Sequence, residues 1–283
     1  MRELLFIAFM LLAWRSLAEP VPVTINVDAN YQPFSYRNED GKAEGIYIDI
    51  LREAFSRMEG FQVTLEPVPW ERGKLMMQKG EGFALAPAFY HGHDWPYLFP
   101  YSQPFYTETI IAVCNAELVE NKQRQWPQDY IGLTVGNIAG FDGWGGFEFW
   151  KLVHQGKIRY EEARSTNLNI LKLVKGHIDC IMMENLAFDH QMRQIKASGR
   201  YHASDVEPRK AALIGRDPVY IGYSKPAMQS GKYPWAFEFM QAFDSTIYQM
   251  HKNGDIGRII QRYGGPGDVR DITQFRFNPA FRQ

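Results

Sequence analysis

The feature that most constrains this chain is a regular switch between strand-like and helix-like hydrophobic spacing. Residues 21 to 27 alternate in the way of a β-strand, and apolar side chains then recur at helical spacing from Asp49 until Gly60. A strand, a short helix and a buried strand follow at residues 61 to 67, 71 to 78 and 83 to 88. This alternation is typical of a mostly parallel sheet flanked by helices, so we predict an α/β fold.

The same order returns in the middle of the chain, which predicts a second lobe. This part comprises a strand at residues 132 to 136, a helix at 167 to 175, a strand at 178 to 183 and a helix from about Asn185. The tail carries two more helical patterns, at residues 235 to 250 and 256 to 263. These tail helices need the first lobe for burial, so we expect a lobe that is discontinuous in sequence.

Two apolar strands, at residues 107 to 114 and 219 to 223, are predicted to carry the chain between the lobes. No linker rich in Pro, Gly or Ser separates the two lobes, so the paired strands would act as a hinge. The predicted organisation is a signal peptide at residues 1–18, the first part of lobe 1 at 19–113, lobe 2 at 114–217 and the second part of lobe 1 at 218–283.

The N-terminal segment of the sequence indicates that the protein is exported from the cytoplasm. Residues 4 to 14 form an apolar run that is too short to cross a bilayer, which takes about 20 residues. Arg2 precedes this run, and Ser16 and Ala18 supply the small residues of a signal-peptidase site, so we predict cleavage after Ala18. No Cys follows the run, and we therefore expect a mature chain free of lipid, in the periplasm or outside the cell. The alternative is an uncleaved segment that lies at the membrane interface.

Composition narrows the classes of partner. Hydrophobic residues make up 45% and charged residues 22%, which fits a folded protein with a sizeable core and excludes disordered and collagen-like classes. Lys and Arg total 31 against 32 Asp and Glu, so no basic excess favours nucleic acid as a partner. Cys114 and Cys180 end or interrupt apolar strand-like runs. A disulfide and two buried free thiols are both open, and the buried positions favour free thiols.

Aromatic residues are numerous, with 7 Trp, 15 Tyr and 19 Phe, and several stand where predicted strands of the first lobe end. The carboxyl edge of a parallel sheet is the edge that binds ligands, and aromatic rings there can stack on a ligand. The other interpretation is that the rings cap the core beneath the loops, which we expect for about half of them. The candidates are Tyr31, Phe34, Trp70, Phe89, Tyr90 and Trp95.

Motifs of common enzymes are absent from the sequence. We find no phosphate-binding loop, no hydrolase nucleophile elbow and no H-E-x-x-H zinc motif. His91, His93 and Asp94 form the one metal-like cluster, but adjacent loop residues of this kind more often face solvent. We therefore expect neither a metal site nor a cofactor.

Seven short runs occur in an order that is similar to a known family. They are Tyr31-Gln-Pro-Phe-Ser-Tyr36, Asp40-Gly-Lys42, Gly45-Ile-Tyr-Ile-Asp-Ile50, Pro100-Tyr-Ser-Gln-Pro-Phe-Tyr106, Leu133-Thr-Val-Gly136, Lys175-Gly-His-Ile-Asp-Cys180, and Asn253-Gly-Asp-Ile256 with Tyr263-Gly264. Together they resemble the Y-x-P-F, D-G, G-F-x-x-D-L and F-S-x-P-Y-Y motifs and the later motifs of the bacterial extracellular solute-binding proteins, family 3. The resemblance covers nearly all of residues 22 to 265.

The resemblance implies a two-lobed periplasmic binding protein fold of type II. Each lobe would be an α/β unit, and two strands would form the hinge. The protein would close over a small polar ligand and hand it to an inner-membrane ABC transporter permease. We accordingly expect a monomer without enzymatic activity.

The resemblance also assigns roles to individual positions. Where amino-acid binders of the family have an Arg that holds the ligand carboxylate, this chain has Trp95, and an indole cannot replace a guanidinium. Arg72 is the candidate substitute. Glu184 stands at the family position that receives the ligand ammonium, and Asp142 falls in a loop near the ligand. These carboxylates favour a ligand with an amine or another positive group, although Glu184 has an alternative role at a helix start.

Two other functions remain open on the same scaffold. One is a periplasmic enzyme similar to the cyclohexadienyl dehydratases, with a desolvated Glu184 as general acid. The other is a ligand-sensing subunit that docks on a membrane receptor. For the binding protein, we expect Trp95 and Glu184 to face each other across the cleft.

Overall fold

The computed structural model describes residues 19–90, 95–119, 125–139 and 144–265. The predicted signal peptide and the cluster of His91, His93 and Asp94 lie outside these residues, as does Asp142.

The first lobe begins with strands and helices in the predicted order. Its elements, up to the strand that leaves it, are β1 (Val21–Asp28), β2 (Asn30–Tyr31), β3 (Ser35–Arg37), β4 (Ala43–Glu44), α1 (Ile46–Ser56), β5 (Phe61–Val68), α2 (Trp70–Gln78), β6 (Ala84–Ala88), β7 (Leu98–Tyr101) and β8 (Tyr106–Asn115). The turn at Asp40 and Gly41 joins the antiparallel strands β3 and β4, and Gly41 adopts a φ of 78°, which favours glycine.

The second lobe and the tail contain the remaining elements. They are β9 (Thr134–Ile138), α3 (Gly146–His154), β10 (Arg159–Ala163), α4 (Thr166–Val174), β11 (Cys180–Glu184), α5 (Asn185–Ala197), β12 (Pro208–Ser224), α6 (Lys225–Gln229), α7 (Ala236–Lys252) and α8 (Asp255–Arg262). Ser165 caps α4 by accepting a hydrogen bond from the Leu168 N–H at 3.3 Å.

Nine strands form one sheet in the order β10-β9-β11-β8-β12-β6-β1-β5, with β7 paired to β12, and the short strands β2, β3 and β4 form a separate sheet. Neighbours within β10-β9-β11 and within β6-β1-β5 are parallel, as expected for α/β lobes. The long strands β8 and β12 are antiparallel to each other and link the two parallel groups. The predicted α/β fold with two lobes and a two-strand hinge is confirmed.

The tail helices pack against the first lobe. Phe239 and Phe243 on α7 contact Phe55 of α1, with ring centroids 5.9 and 5.5 Å apart. On α8, Asp255 accepts a hydrogen bond from Arg57 at 2.6 Å, and the Tyr263 hydroxyl after this helix donates to Asp49 at 2.8 Å. These contacts support the proposed discontinuous lobe, whose residue boundaries stay a prediction.

Cys114 and Cys180 form a disulfide, so the expectation of free thiols is wrong. Cys114 lies on β8 directly opposite Cys180 on the antiparallel neighbour β11, with the two Cα atoms 4.0 Å apart. Burial of both strand positions was correctly predicted, but their pairing depends on the register of two strands that are 66 residues apart. The bridge ties the second lobe to a hinge strand.

Within the described residues, no helix is long and apolar enough to cross a membrane.

Candidate functional site

The site is built where the parallel strands of both lobes end. Ala29 and Asn30, which follow β1, and Ser165 and Thr166, which follow β10, line the same polar cleft of about 320 Å³. Ligands of open α/β sheets bind at this carboxyl edge. The cleft is also lined by Gln32, Tyr36, Arg37, Asn167, Gln191 and Gln194. It therefore presents amide, hydroxyl and guanidinium groups from both lobes.

Glu184 is the last residue of β11 and caps the helix that follows. One of its carboxylate oxygens accepts a hydrogen bond from the Ala187 N–H at 2.8 Å, so the helix-start role that the sequence allowed is present. The side chain is 1% exposed. Burial raises the pKa of Glu184 to about 7, against the lowering effect of the backbone N–H groups of Ala187, Leu186 and Thr109.

Glu108 lies on the hinge strand β8 and is fully buried. One oxygen, Oε1, accepts hydrogen bonds from the hydroxyls of Tyr31 at 2.8 Å and Tyr47 at 2.5 Å. The other oxygen, Oε2, has no hydrogen-bond partner among the described residues. Burial raises the pKa of Glu108 well above its ordinary range, and the charge of Glu184 raises it further.

Asp217 lies on the second hinge strand, β12, directly opposite Glu108. Burial raises the pKa of Asp217 to about 7. Within the described residues, none of the carboxylates of Glu108, Glu184 and Asp217 forms an ion pair with a basic side chain. Lys210 is close enough to lower the pKa of Glu184, but its ammonium donates to Asn185 and Asp189. Among the described residues, these acidic groups of the hinge therefore have no ion-pair partner.

Several predicted aromatic candidates surround this acidic hinge. Tyr31 is 6% exposed, donates to Glu108, and lies close enough to Glu184 for its charge to affect the hydroxyl. Phe34 is fully buried and stacks on Tyr47, with centroids 4.7 Å apart, so in this conformation it belongs to the core. Tyr31 therefore belongs to the acidic hinge through its hydrogen bond to Glu108, and the ring of Phe34 packs against the ring of Tyr31 with centroids 5.1 Å apart.

The other aromatic candidates lie elsewhere in the first lobe. Trp70 and Trp95 pack edge to face with centroids 5.6 Å apart, and the Lys74 ammonium lies 5.7 Å from the Trp95 ring. Phe89 is buried, whereas Tyr90 is 53% exposed and contacts the ring of Tyr101. No described contact joins Trp95 to Glu184, and their opposition across the cleft stays a prediction.

Arg72, the candidate substitute for a carboxylate-binding Arg, is an exposed residue of α2. Asp142 cannot be placed because it lies outside the described residues. In the part of the chain that is described, no group of three or more His, Cys, Asp or Glu side chains could hold a metal ion.

Sequence reasoning missed Glu108 and Asp217. Glu108 does leave a signal, because it is a charged residue on the buried face of a predicted apolar strand. The sequence signal for Asp217 is weaker, because the first half of β12 mixes charged residues with Pro208 and Pro218 and lacks the pattern of a strand.

Comparison with known proteins identifies the family. The family described as bacterial extracellular solute-binding proteins, family 3, matches residues 23–266. The chain belongs to this family. The expected resemblance is confirmed, and the protein is an extracellular solute-binding protein by membership. Among curated protein sequences, no match is found.

Solved structures share the fold at low sequence identity. A protein from a study of glutathione import through GshT and the cystine ABC importer TcyBC of Streptococcus mutans is 14% identical, with a TM-score of 0.66 over 88% of this chain and 97% of that chain. The arginine-, lysine-, histidine-binding protein ArtJ from Geobacillus stearothermophilus is 15% identical, with a TM-score of 0.61 over 89% and 100%. The ancestral amino acid-binding protein AncCDT-1, a precursor of cyclohexadienyl dehydratase, is 14% identical, with a TM-score of 0.60 over 86% and 94%.

Proposed function

We propose that this protein captures a small, polar, amine-bearing ligand between its lobes in the periplasm and delivers it to an inner-membrane ABC transporter. The observation that carries the proposal is Glu184, a buried carboxylate at the junction of the lobes that forms no ion pair with a basic side chain of the described residues. A buried charge is costly unless it is paired, so a cationic ligand is the partner that this site favours.

The arrangement of the site explains how binding would close the lobes. Glu184 belongs to the second lobe, and Tyr31, whose hydroxyl lies within reach of its charge, belongs to the first. A ligand that contacts both residues interacts more strongly with the closed state than with the open state. It therefore shifts the population toward closure about β8 and β12.

A thermal-shift screen of the mature chain tests this function. Amino acids, amines, small peptides and organic acids would be compared, and a ligand at about 100 times its dissociation constant adds about 2.7 kcal/mol to stability. We expect the strongest stabilisation from compounds with a primary amine or guanidinium. Stabilisation by anionic or neutral compounds alone would contradict the proposal.

The partner requires a separate experiment. We propose a transporter partner and a monomeric binding protein, since family members of this kind present the closed form to a permease. Co-purification with the permease encoded beside the gene, in the presence and absence of ligand, measures this directly. Binding to a membrane receptor kinase in its place would support the alternative of a sensing subunit.

A second candidate function rests on the protonation of Glu184. Burial raises the pKa of this carboxyl to about 7, which suits a general acid near neutral pH. The similarity to a dehydratase precursor concerns the fold alone, so a dehydratase-like enzyme is the alternative to a binding protein. Mass spectrometry of the protein incubated with its ligand separates the two, because a binding protein returns the ligand unchanged.

A further inference from the structure

The hinge holds an acidic pair for which the described protein supplies no counter-charge. Glu108 on β8 and Asp217 on β12 are directly opposite in an antiparallel ladder, an arrangement that destabilises a sheet when both residues are charged. The Oε2 atom of Glu108 is buried and accepts no hydrogen bond from a described residue. A buried acceptor without a donor lowers the stability of the folded protein, so we expect this oxygen to accept a hydrogen bond from a bound ligand.

Strand register places this pair on the same face as Glu184. Residues directly opposite each other in a sheet share a face, and Ile110 of β8 is opposite Glu184 on one side and Gly215 on the other. Glu108 is two residues from Ile110 and Asp217 is two residues from Gly215, so the alternation of the strands puts all three carboxylates on that face. The ladder from residue 106 to 110 is regular, without a bulge.

Space is available beside the carboxylates. A Cβ atom added to Gly215 would meet no described atom within 4 Å, and the backbone there needs no positive φ. The lack of a side chain at Gly215 leaves space on this face beside Asp217 and Ile110. The groups that face Glu108 are the hydroxyls of Tyr31, Tyr47 and Tyr106 and the two other carboxylates.

We propose that Glu108 and Asp217 form a second cation-binding position on the hinge, beside Glu184, and that the ligand is an organic compound with two cationic groups, such as a diamine or a basic amino acid. This inference rests on the proposed function and narrows its ligand class. Positions that are opposite or diagonal in a sheet are roughly 5 to 8 Å apart, so the two positive groups of the ligand would have that spacing.

A cation at this position would satisfy the buried pair. An ammonium carries three donors, of which one can reach Glu108 Oε2 and another Asp217. Burial raises the pKa of both carboxyls, and a cationic group bound between them would favour their charged forms and lower these pKa values. Both residues lie on the two strands that link the lobes, so closure about these strands would depend on occupation of the second position.

The test compares ligands that differ by one charge. L-lysine is matched with L-norleucine, which lacks the side-chain ammonium, and 1,4-diaminobutane with n-butylamine, in calorimetric titrations at pH 7.5. Dication and monocation here count the ammonium groups alone, since both amino acids also carry a carboxylate. We expect at least one dication to bind 10-fold or more tightly than its matched monocation. Calcium and magnesium chloride serve as inorganic controls, and a divalent ion that stabilises the protein more than either dication would overturn the assignment.

Variants then locate the second charge. Glu108→Gln keeps an acceptor for the hydroxyls of Tyr31 and Tyr47 and should weaken dication binding 10-fold or more, with monocation binding changed less than 3-fold. Gly215→Val should block both dications by filling the open space. Glu59→Gln removes an equal charge from an exposed turn and should change neither. Circular dichroism melting of each variant verifies that it is folded.

The outcomes distinguish a failure of this inference from a failure of the proposed amine-binding function. Equal binding of dications and monocations, or equal losses for both in Glu108→Gln, would overturn the second position and leave the amine-binding function intact. Failure of every amine to bind, at a concentration where the fold is stable, would overturn both.

Discussion

Two charged regions of the first lobe and hinge differ in where their counter-charge comes from. Near α2, the Lys74 ammonium lies 6.0 Å from the Trp70 ring and 5.7 Å from the Trp95 ring, and pairs with Glu71 at 2.7 Å. At the hinge, Glu108, Glu184 and Asp217 lack any such partner in the described chain. A region that contains both signs of charge is complete without a ligand, whereas under the proposed function the hinge receives its cation from the ligand.

The comparison changes how the aromatic residues are interpreted. The sequence placed Trp70 and Trp95 among the ligand contacts because they follow strands of the first lobe. In the structure, Leu98 of β7 pairs with Ser224, the last residue of β12 and seven residues beyond Asp217, and Trp95 is only three residues before Leu98. We infer that the cluster of Trp70, Trp95 and Lys74 stabilises the first lobe and that ligand recognition lies at the hinge.

The largest effect is expected from Glu184→Gln. Loss of a buried carboxylate that receives an ammonium costs about 2 to 5 kcal/mol of binding free energy, much of it from the ligand charge that is left unpaired. Titration calorimetry with L-lysine measures this loss. Glu162→Gln on the exposed strand β10 is the matched control in the same lobe. Unchanged affinity in Glu184→Gln would show that this residue only caps α5. The hinge would then not differ from the region near α2 in needing a cation from the ligand.

The disulfide is expected to have the next largest effect. A bridge that closes a loop of 66 residues stabilises a fold by about 4 kcal/mol through the entropy of the unfolded chain. We expect the double variant Cys114→Ser, Cys180→Ser to lose about this free energy of unfolding in urea. Because the bridge joins β11 to β8, it also fixes Glu184 relative to the hinge. A variant that keeps full stability would show that strand pairing alone holds this arrangement.

The pH dependence of stability is predicted to have an unusual sign for carboxylates. The pKa of Glu184 rises from 4.5 to about 7 on folding, so the folded protein holds more protons between these values and becomes less stable as pH rises through them. The effect of this one group is up to about 3 kcal/mol. Asp217 acts in the same direction, from 3.8 to about 7.

One buried histidine opposes this trend. Burial lowers the pKa of His251 from 6.5 to about 4, so its contribution to stability increases between those pH values. The decrease from the carboxyls should therefore be clearest between pH 6.5 and 7.5, in melts without ligand. Asp217→Asn should make the decrease smaller. Stability that rises steadily to pH 8 would show that the hinge carboxylates already have counter-charges.

The smallest effect is expected from Trp95→Ala. Loss of one aromatic pair and one cation–π contact should lower the free energy of unfolding by roughly 1 to 2 kcal/mol, with the affinity for L-lysine changed less than 2-fold. Phe237→Ala, at a residue 60% exposed on α7, is the control for removing an aromatic ring. A loss of affinity without a loss of stability would return Trp95 to the ligand site and reverse the assignment of the two regions.

The sequence predicted the fold well where hydrophobic spacing was strong. β1, α1, β5 and α2 agree to within a few residues, because each buries one regular face. Strand β10 was missed, since Arg159, Glu161 and Glu162 are exposed at the edge of the sheet and remove the alternation. The long first half of β12 was missed for a similar reason.

The site was predicted less completely than the fold. Glu184 could be proposed as a site residue from the sequence because it stands in a local motif, next to a strand end that the hydrophobic spacing predicts; its role in binding stays a prediction. Glu108 and Asp217 become neighbours only through the register of β8 and β12, two strands about a hundred residues apart in the chain. Cys114 and Cys180 were likewise visible as buried positions, while their bond depended on a register that local patterns do not contain.

A crystal structure of the protein with L-lysine bound is the most direct test of the account. We predict that one ammonium lies within hydrogen-bonding distance of Glu184 and that the second lies between Glu108 Oε2 and Asp217. The Lys74 ammonium should keep its contacts with the rings of Trp70 and Trp95. A ligand stacked on Trp95 with Lys74 displaced, and with the hinge carboxylates free of contact, would contradict it.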